Sequence, residues 1–182
     1  MKSENKVSQQ ENVSTRQAAP ASKDALSILV ADHRTVQGLF DAFKRAGDDD
    51  LDRKGTLVRR ACEELSIHTI LEEELLYPAA QEALDEDQRP DVEEAYVEHY
   101  LVKVLIDKFT TLKPGDKGFD ATFKVLTEMV NHHIEEEESE LFPELRKSKA
   151  DLETLGAEIE KRKTALEAKL SKDVGDRTTR LH

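Results

Sequence analysis

From about Asp24 onward, apolar residues recur at three- and four-residue spacing in four long segments, separated by GDDD at Gly47 to Asp50, DEDQRP at Asp85 to Pro90 and KPGDKG at Lys113 to Gly118. This periodicity predicts four helices joined by short turns. Gly47 is expected to close the first helix in a left-handed cap, and Pro90 to occupy the first turn of the third. Short connections force neighbouring helices antiparallel, so the chain is predicted to be all-α, an antiparallel up-down-up-down four-helix bundle over residues 24–149. Further on, Leu152, Leu155, Ile159, Leu166 and Leu170 form a thin apolar stripe between charged faces. That stripe predicts an additional C-terminal helix from about Asp151 to Leu170 within a segment 150–182, docked on the bundle or paired with another chain, with fraying from Ser171. Residues 1–23 show no apolar period and are expected to be a disordered N-terminal tail.

Composition narrows the class. A chain of 182 residues is one domain by size, and 36% charged with only 5% aromatic residues suits a helical protein with much solvated surface. The 27 basic residues against 39 acidic ones leave a net charge of -12, which would repel a phosphate backbone, so neither nucleic acid nor an anionic membrane is an expected partner. The longest nearly apolar run, Ala25 to Ala31, is far too short to span a bilayer. The N-terminal residues lack the apolar centre of a secretory signal, and a cytoplasmic location is expected. A lone Cys62 excludes an internal disulfide and a C-x-x-C pair and is expected to be a small buried apolar residue. Any metal must then be held by nitrogen and oxygen.

Two segments carry the chemistry. His68 to Pro78 and His133 to Pro143 align without a gap, each with His and Glu four residues apart and an aromatic-Pro pair at the same offset, Tyr77-Pro78 and Phe142-Pro143. At that spacing His68 and Glu72, like His133 and Glu137, lie about 40° apart on one helical face and can share an ion. His33 falls on the stripe of Leu26, Leu29, Val36 and Phe40, and His99 on that of Val92, Ala95, Val102 and Ile106. Each helix therefore contributes one inward His, and counting from the turns at roughly 1.5 Å per residue puts all four at similar depth. His132 points about 100° away from His133 and is expected on the surface. Glu73 and Glu138 sit in acidic runs expected to be mostly solvated. Glu73 and Glu138 are alternatively candidates for a place behind the ligands, and Gln37, Tyr96 and Lys103, which fall within about 40° to 60° of the His on their own helices, are candidates to line the site, with core packing the alternative for Tyr96.

Four imidazoles and two carboxylates between apolar stripes are costly to bury unless something binds them. Such a set suits iron, zinc or manganese, and six ligands exceed the need of one tetrahedral zinc. With Glu72 and Glu137 each shared, two ions would receive two nitrogens and two oxygens apiece. A di-iron site is the expectation.

These residues resemble the hemerythrin-like HHE cation-binding proteins, antiparallel four-helix bundles with a non-haem di-iron centre. The matching motifs are Asp32-His33, His68-x-x-x-Glu72 with Tyr77-Pro78, Glu98-His99, and His133-x-x-x-Glu137 with Phe142-Pro143. The resemblance implies that His33, His68, Glu72, His99, His133 and Glu137 ligate two irons, with O2, NO or peroxide as the small partner. The oxygen-carrying members have a further His one turn after the third-helix His, and Lys103 holds that place here, which implies poor oxygen carriage. Related bacterial members are associated with oxygen or NO sensing, peroxide chemistry, iron handling and repair of iron centres. The resemblance leaves open an oxidant-binding or oxidant-consuming protein and a non-catalytic, iron-binding sensor or iron-handling protein that acts through a partner.

Overall fold

The computed structural model describes the backbone of residues 23–85 and 89–179 and the side chains of 23–85 and 92–172. Residues 1–22 of the expected tail lie outside the described residues. Every regular element among the described residues is helical: α1 (Ala25–Lys44), α2 (Leu51–Leu71), α3 (Tyr77–Ala83), α4 (Arg89–Lys108), α5 (Phe119–Glu136), α6 (Phe142–Lys147) and α7 (Leu152–Thr179). A π-helical turn, Glu72–Leu76, joins α2 to α3, and a second, Glu137–Leu141, joins α5 to α6. The seven helices thus make five rods, the predicted four plus α7. None of the described helices is long and apolar enough to cross a membrane.

Local chemistry explains the ends. The Asp24 carboxylate accepts from the Ser27 backbone N–H at 3.0 Å and starts α1, and the Asp50 carboxylate does the same for Arg53 at the start of α2. Pro90 falls in the first turn of α4, as predicted. Gly47 is not the cap expected of it. α1 ends at Lys44, Arg45 keeps right-handed angles, and the chain leaves through turns in which Ala46 donates to the Phe43 carbonyl and Asp50 to that of Gly47. Such turns need no positive φ. Left-handed backbone occurs instead at Gly115 and Gly118, φ 89° and 96°, in the turn before α5.

The core divides into two apolar slabs. One gathers Leu26, Leu29, Leu71, Leu76, Tyr77, Leu141, Phe142, Leu145 and Ile159, and the other Val36, Phe40, Val58, Leu65, Val102, Phe123, Val130 and Ile134. The buried polar residues His33, His68, Glu72, His99, His133 and Glu137 occur where α1, α2, α4 and α5 pass between the slabs.

α7 docks on its own bundle, against α1 and α2, so of the two expected arrangements the intramolecular one is observed. Leu155 and Ile159 are buried there. Gly156 permits the approach: a Cβ at that position would lie 2.5 Å from the Lys23 carbonyl oxygen and 2.9 Å from the Ala25 nitrogen. The helical backbone of α7 runs on past Ser171 to Thr179. No proline interrupts this stretch, and adding residues to an existing helix is far easier than starting one.

Candidate metal centre

The prolines shape the site. Pro78 and Pro143 have no N–H to give a helix, and their rings would strike the carbonyls four residues back. The chain widens by one residue ahead of each: the Tyr77 N–H donates to the Glu72 carbonyl and the Phe142 N–H to that of Glu137, five residues apart. Each inward Glu therefore opens a π turn, and the aromatic residue that follows returns to the core beside the imidazoles. Phe142 stacks on His33, with centroids 5.8 Å apart and planes 8° from parallel, and Tyr77 lies tilted on His99 at 5.3 Å.

All six predicted residues meet in one layer. His33 Nε2 and His68 Nε2 are 3.1 Å apart, as are His99 Nε2 and His133 Nε2. Glu72 Oε2 lies 3.1 Å from His68 Nε2 and 3.3 Å from His99 Nε2, and Glu137 Oε2 lies 3.3 Å from His33 Nε2 and 3.6 Å from His133 Nε2. Within the layer two groups compatible with metal binding result, His33, His68, Glu72 and Glu137 in one and Glu72, His99 and His133 in the other, with Glu72 common to both. Despite these short distances, both oxygens of Glu72 and Oε2 of Glu137 are buried without a hydrogen-bond partner. Orphaned buried carboxylate oxygens facing convergent imidazole nitrogens fit a cation of intermediate hardness, as the donor set itself does.

The outward ring nitrogens are held by a second ring of acids. Glu138 lies 2.8 Å from His33 Nδ1, Glu73 3.1 Å from His99 Nδ1 and Glu98 2.7 Å from His133 Nδ1. Asp32 stands 4.0 Å from His68 Nδ1, beyond hydrogen-bond reach, and that nitrogen has no partner. Behind three of the four acids stands a cation: Arg34 on Glu138, Lys103 on both oxygens of Glu73 at 2.6 Å, and Lys163 of α7 on Asp32. Carboxylates on the outer nitrogen fix the tautomer and orient the ring toward the layer.

Electrostatics follow from this packing. Complete burial pulls the His68 imidazole down, but the charge of Glu72 and the side chains of Asp32 and Glu72 outweigh it and hold the ring at about 10. His133 is likewise raised to about 9, burial being overcome by Glu137 and Glu98. Burial pushes Glu72 up, and the charges of His68 and His99 bring it well below the carboxylate range. Burial, with the charges of Glu72 and Glu137, drives the Tyr77 phenol well above its usual value. Its hydroxyl therefore keeps its proton and donates to Glu137 Oε1 at 2.9 Å, 3.1 Å from His99 Nε2.

Several residues differ from their sequence expectations. Glu73 and Glu138 are half-buried partners of His99 and His33 rather than mainly solvated groups. Tyr77, Asp32, Glu98 and Lys163 belong to the site, although none of them was expected as a site residue. Asp32 and Glu98 each directly precede an inward His, and the aromatic-Pro pair marked Tyr77, whereas nothing in the sequence pointed to Lys163. Lys103 is half-exposed and reaches His99 only through Glu73. Tyr96 packs edge-on against Tyr77 at 5.1 Å and its hydroxyl donates to the Glu73 carbonyl at 3.4 Å. Gln37 does not join the layer, since its amide meets Arg34 and Asn131. His132 is exposed beside Glu136, as expected from its helical phase.

A model of the hemerythrin HHE cation binding domain matches residues 24–145. An uncharacterized hemerythrin-like protein of Schizosaccharomyces pombe is 32% identical over 127 residues, 70% of this chain and 62% of its own length. A DNA nickase of Nostoc sp. is 26% identical over 127 residues, which is 35% of its length. This chain therefore spans less than two thirds of either relative. Among solved structures, a Hemerythrin HHE cation binding domain-containing protein from Mycobacterium kansasii shares the fold with a TM-score of 0.68 at 21% identity, over 81% of this chain and 89% of that one.

Proposed function

Because this chain belongs to the hemerythrin HHE cation-binding domain family, we propose that it holds two non-haem irons in the four-imidazole, two-carboxylate layer and binds or turns over a small oxidant there, O2, NO or peroxide. One observation carries the reading: three carboxylate oxygens lie buried and unpartnered among four convergent imidazole nitrogens. His33, His68, Glu72 and Glu137 would hold one ion and Glu72, His99 and His133 the other. Iron in such a set supplies electrons and open coordination positions for a small oxidant.

The protein's own groups do the rest. Glu138, Glu73 and Glu98 face Nδ1 of His33, His99 and His133, so the nitrogen that would give up its proton to a metal is Nε2, the one turned toward the layer. The two apolar slabs exclude bulk water. Tyr77 keeps a phenolic proton between His99 and Glu137, so the half of the layer beside it carries a donor where Phe142 offers the other half only a ring face. Lys103 is held by Glu73 and supplies no nitrogen to the layer, which favours turnover of an oxidant over its reversible carriage.

A second reading, a sensor that acts through a partner, is favoured by the ion pair of Lys163 with Asp32, which ties α7 to the residue beside His33 on α1. Stopped-flow absorption of the ferrous-loaded full chain mixed with O2, NO or peroxide separates the two. Consumption of peroxide in excess over protein supports turnover. A single spectral change that exhausts itself supports sensing. Reaction no faster than that of free ferrous ion with all three oxidants rejects both.

A further inference from the structure

Among the described residues nothing covers the outer face of α4. Val97, Tyr100, Leu101 and Val104 are 60, 65, 43 and 43% exposed. At 100° per residue they lie within about 100° of arc, a continuous apolar stripe on one helix. Single exposed apolar side chains are ordinary on a protein surface, whereas a contiguous stripe marks a contact. α7 cannot cover it, since α7 packs on α1 and α2.

The stripe carries its own complement. Glu93, Val97, Tyr100, Leu101, Val104 and Lys108 follow one another at steps of four, three, one, three and four residues, a spacing that is the same in both directions. Glu93 and Lys108 both lie on the arc of the stripe, are exposed, and make no side-chain ion pair among the described residues. An acid closes one end and a base the other. Such a face complements a second copy of itself when the two helices run antiparallel. A parallel pairing would set Glu93 on Glu93 and Lys108 on Lys108.

We propose that α4 is a self-association face: two copies of this chain pair α4 against α4, antiparallel about a twofold axis, with Val97 over Val104 and Glu93 against Lys108 at both ends. Because one helix face is small for an interface, the pair is weak and reversible, dissociating in the micromolar range.

Sedimentation velocity of the full chain across the micromolar range tests this. The wild type is expected to show a concentration-dependent monomer–dimer equilibrium, and Val104→Lys to be monomeric with an unchanged helical circular dichroism spectrum. Glu93→Lys and Lys108→Glu are each expected to weaken the dimer by about tenfold, because each turns two attractive end contacts into repulsive ones. Mixing these two variants should restore a heterodimer close to wild-type affinity, since antiparallel pairing then sets acid against base at both ends. A wild type that stays monomeric, a dimer unaffected by Val104→Lys, or a mixture no tighter than either variant alone would overturn the proposal.

Discussion

Substituting Gly156 tests the seating of α7, because two opposing effects of known size meet at that position. In an exposed helix, Gly→Ala stabilises by about 1 kcal/mol through propensity alone. Here the added methyl would stand 2.5 Å from the Lys23 carbonyl oxygen, 2.9 Å from the Ala25 nitrogen and 3.0 Å from the Asp24 carbonyl carbon. These atoms are backbone and cannot swing aside, so α7 must retreat by about 0.9 Å to restore an ordinary contact of 3.4 Å. The retreat would loosen Leu155 and Ile159, the residues that α7 buries. Overpacking of this kind costs about 1–3 kcal/mol, so Gly156→Ala is expected to destabilise by up to about 2 kcal/mol after the propensity gain. Gly38 is the internal control, since it is helical and exposed and a Cβ there meets nothing within 4 Å. Gly38→Ala should therefore stabilise. For a chain of this size each kcal/mol moves Tm by about 2–4 °C, so thermal and urea denaturation followed by circular dichroism resolves opposite signs. If Gly156→Ala stabilises as much as Gly38→Ala, α7 is not seated on the start of α1.

Lys163→Met should destabilise by about 1–3 kcal/mol because it leaves the buried Asp32 carboxylate without its cation, and adding Asp32→Asn should recover most of the loss. Urea denaturation of both singles and the double measures the coupling, and simple additivity would refute the link. Burial pushes the Cys62 thiol up to about 12 from 9.0, so at pH 8 its thiolate fraction is about a thousandfold below that of an ordinary thiol. Iodoacetamide should label it slowly, at a rate still climbing above pH 9, and labelling as fast as that of free cysteine at pH 8 would contradict the raised thiol. Cys62 is partly buried, not the fully buried residue expected. His132→Ala should keep the metal complement and His133→Ala should lose it, as read from bound iron after desalting. The reverse would put helix α5 in the wrong phase.

The bundle was legible because helical period is a strong signal over twenty residues, and the six layer residues because each falls on an apolar stripe at a common depth. What escaped the sequence depends on tertiary placement or on backbone hydrogen bonding. Pro78 and Pro143 were visible as a repeated offset, yet the π turns follow only once the carbonyls four residues back are considered. Glu73 and Glu138 stand in acidic runs whose ordinary fate is solvation, and only the fold brings them against His99 and His33. Lys163 lies 131 residues from Asp32. It could not be matched to Asp32 before the packing of α7 was known. Gly47 shows the opposite error, a residue read as a left-handed cap where the turn taken has no need of one.

Whether the layer holds two irons is decided by counting them. The full chain, loaded anaerobically with ferrous iron and desalted, should retain two irons per chain. Glu72→Ala should lose both together, because Glu72 belongs to both clusters. Retention of a single iron by the wild type, or of two tightly held irons by Glu72→Ala, would contradict the shared site.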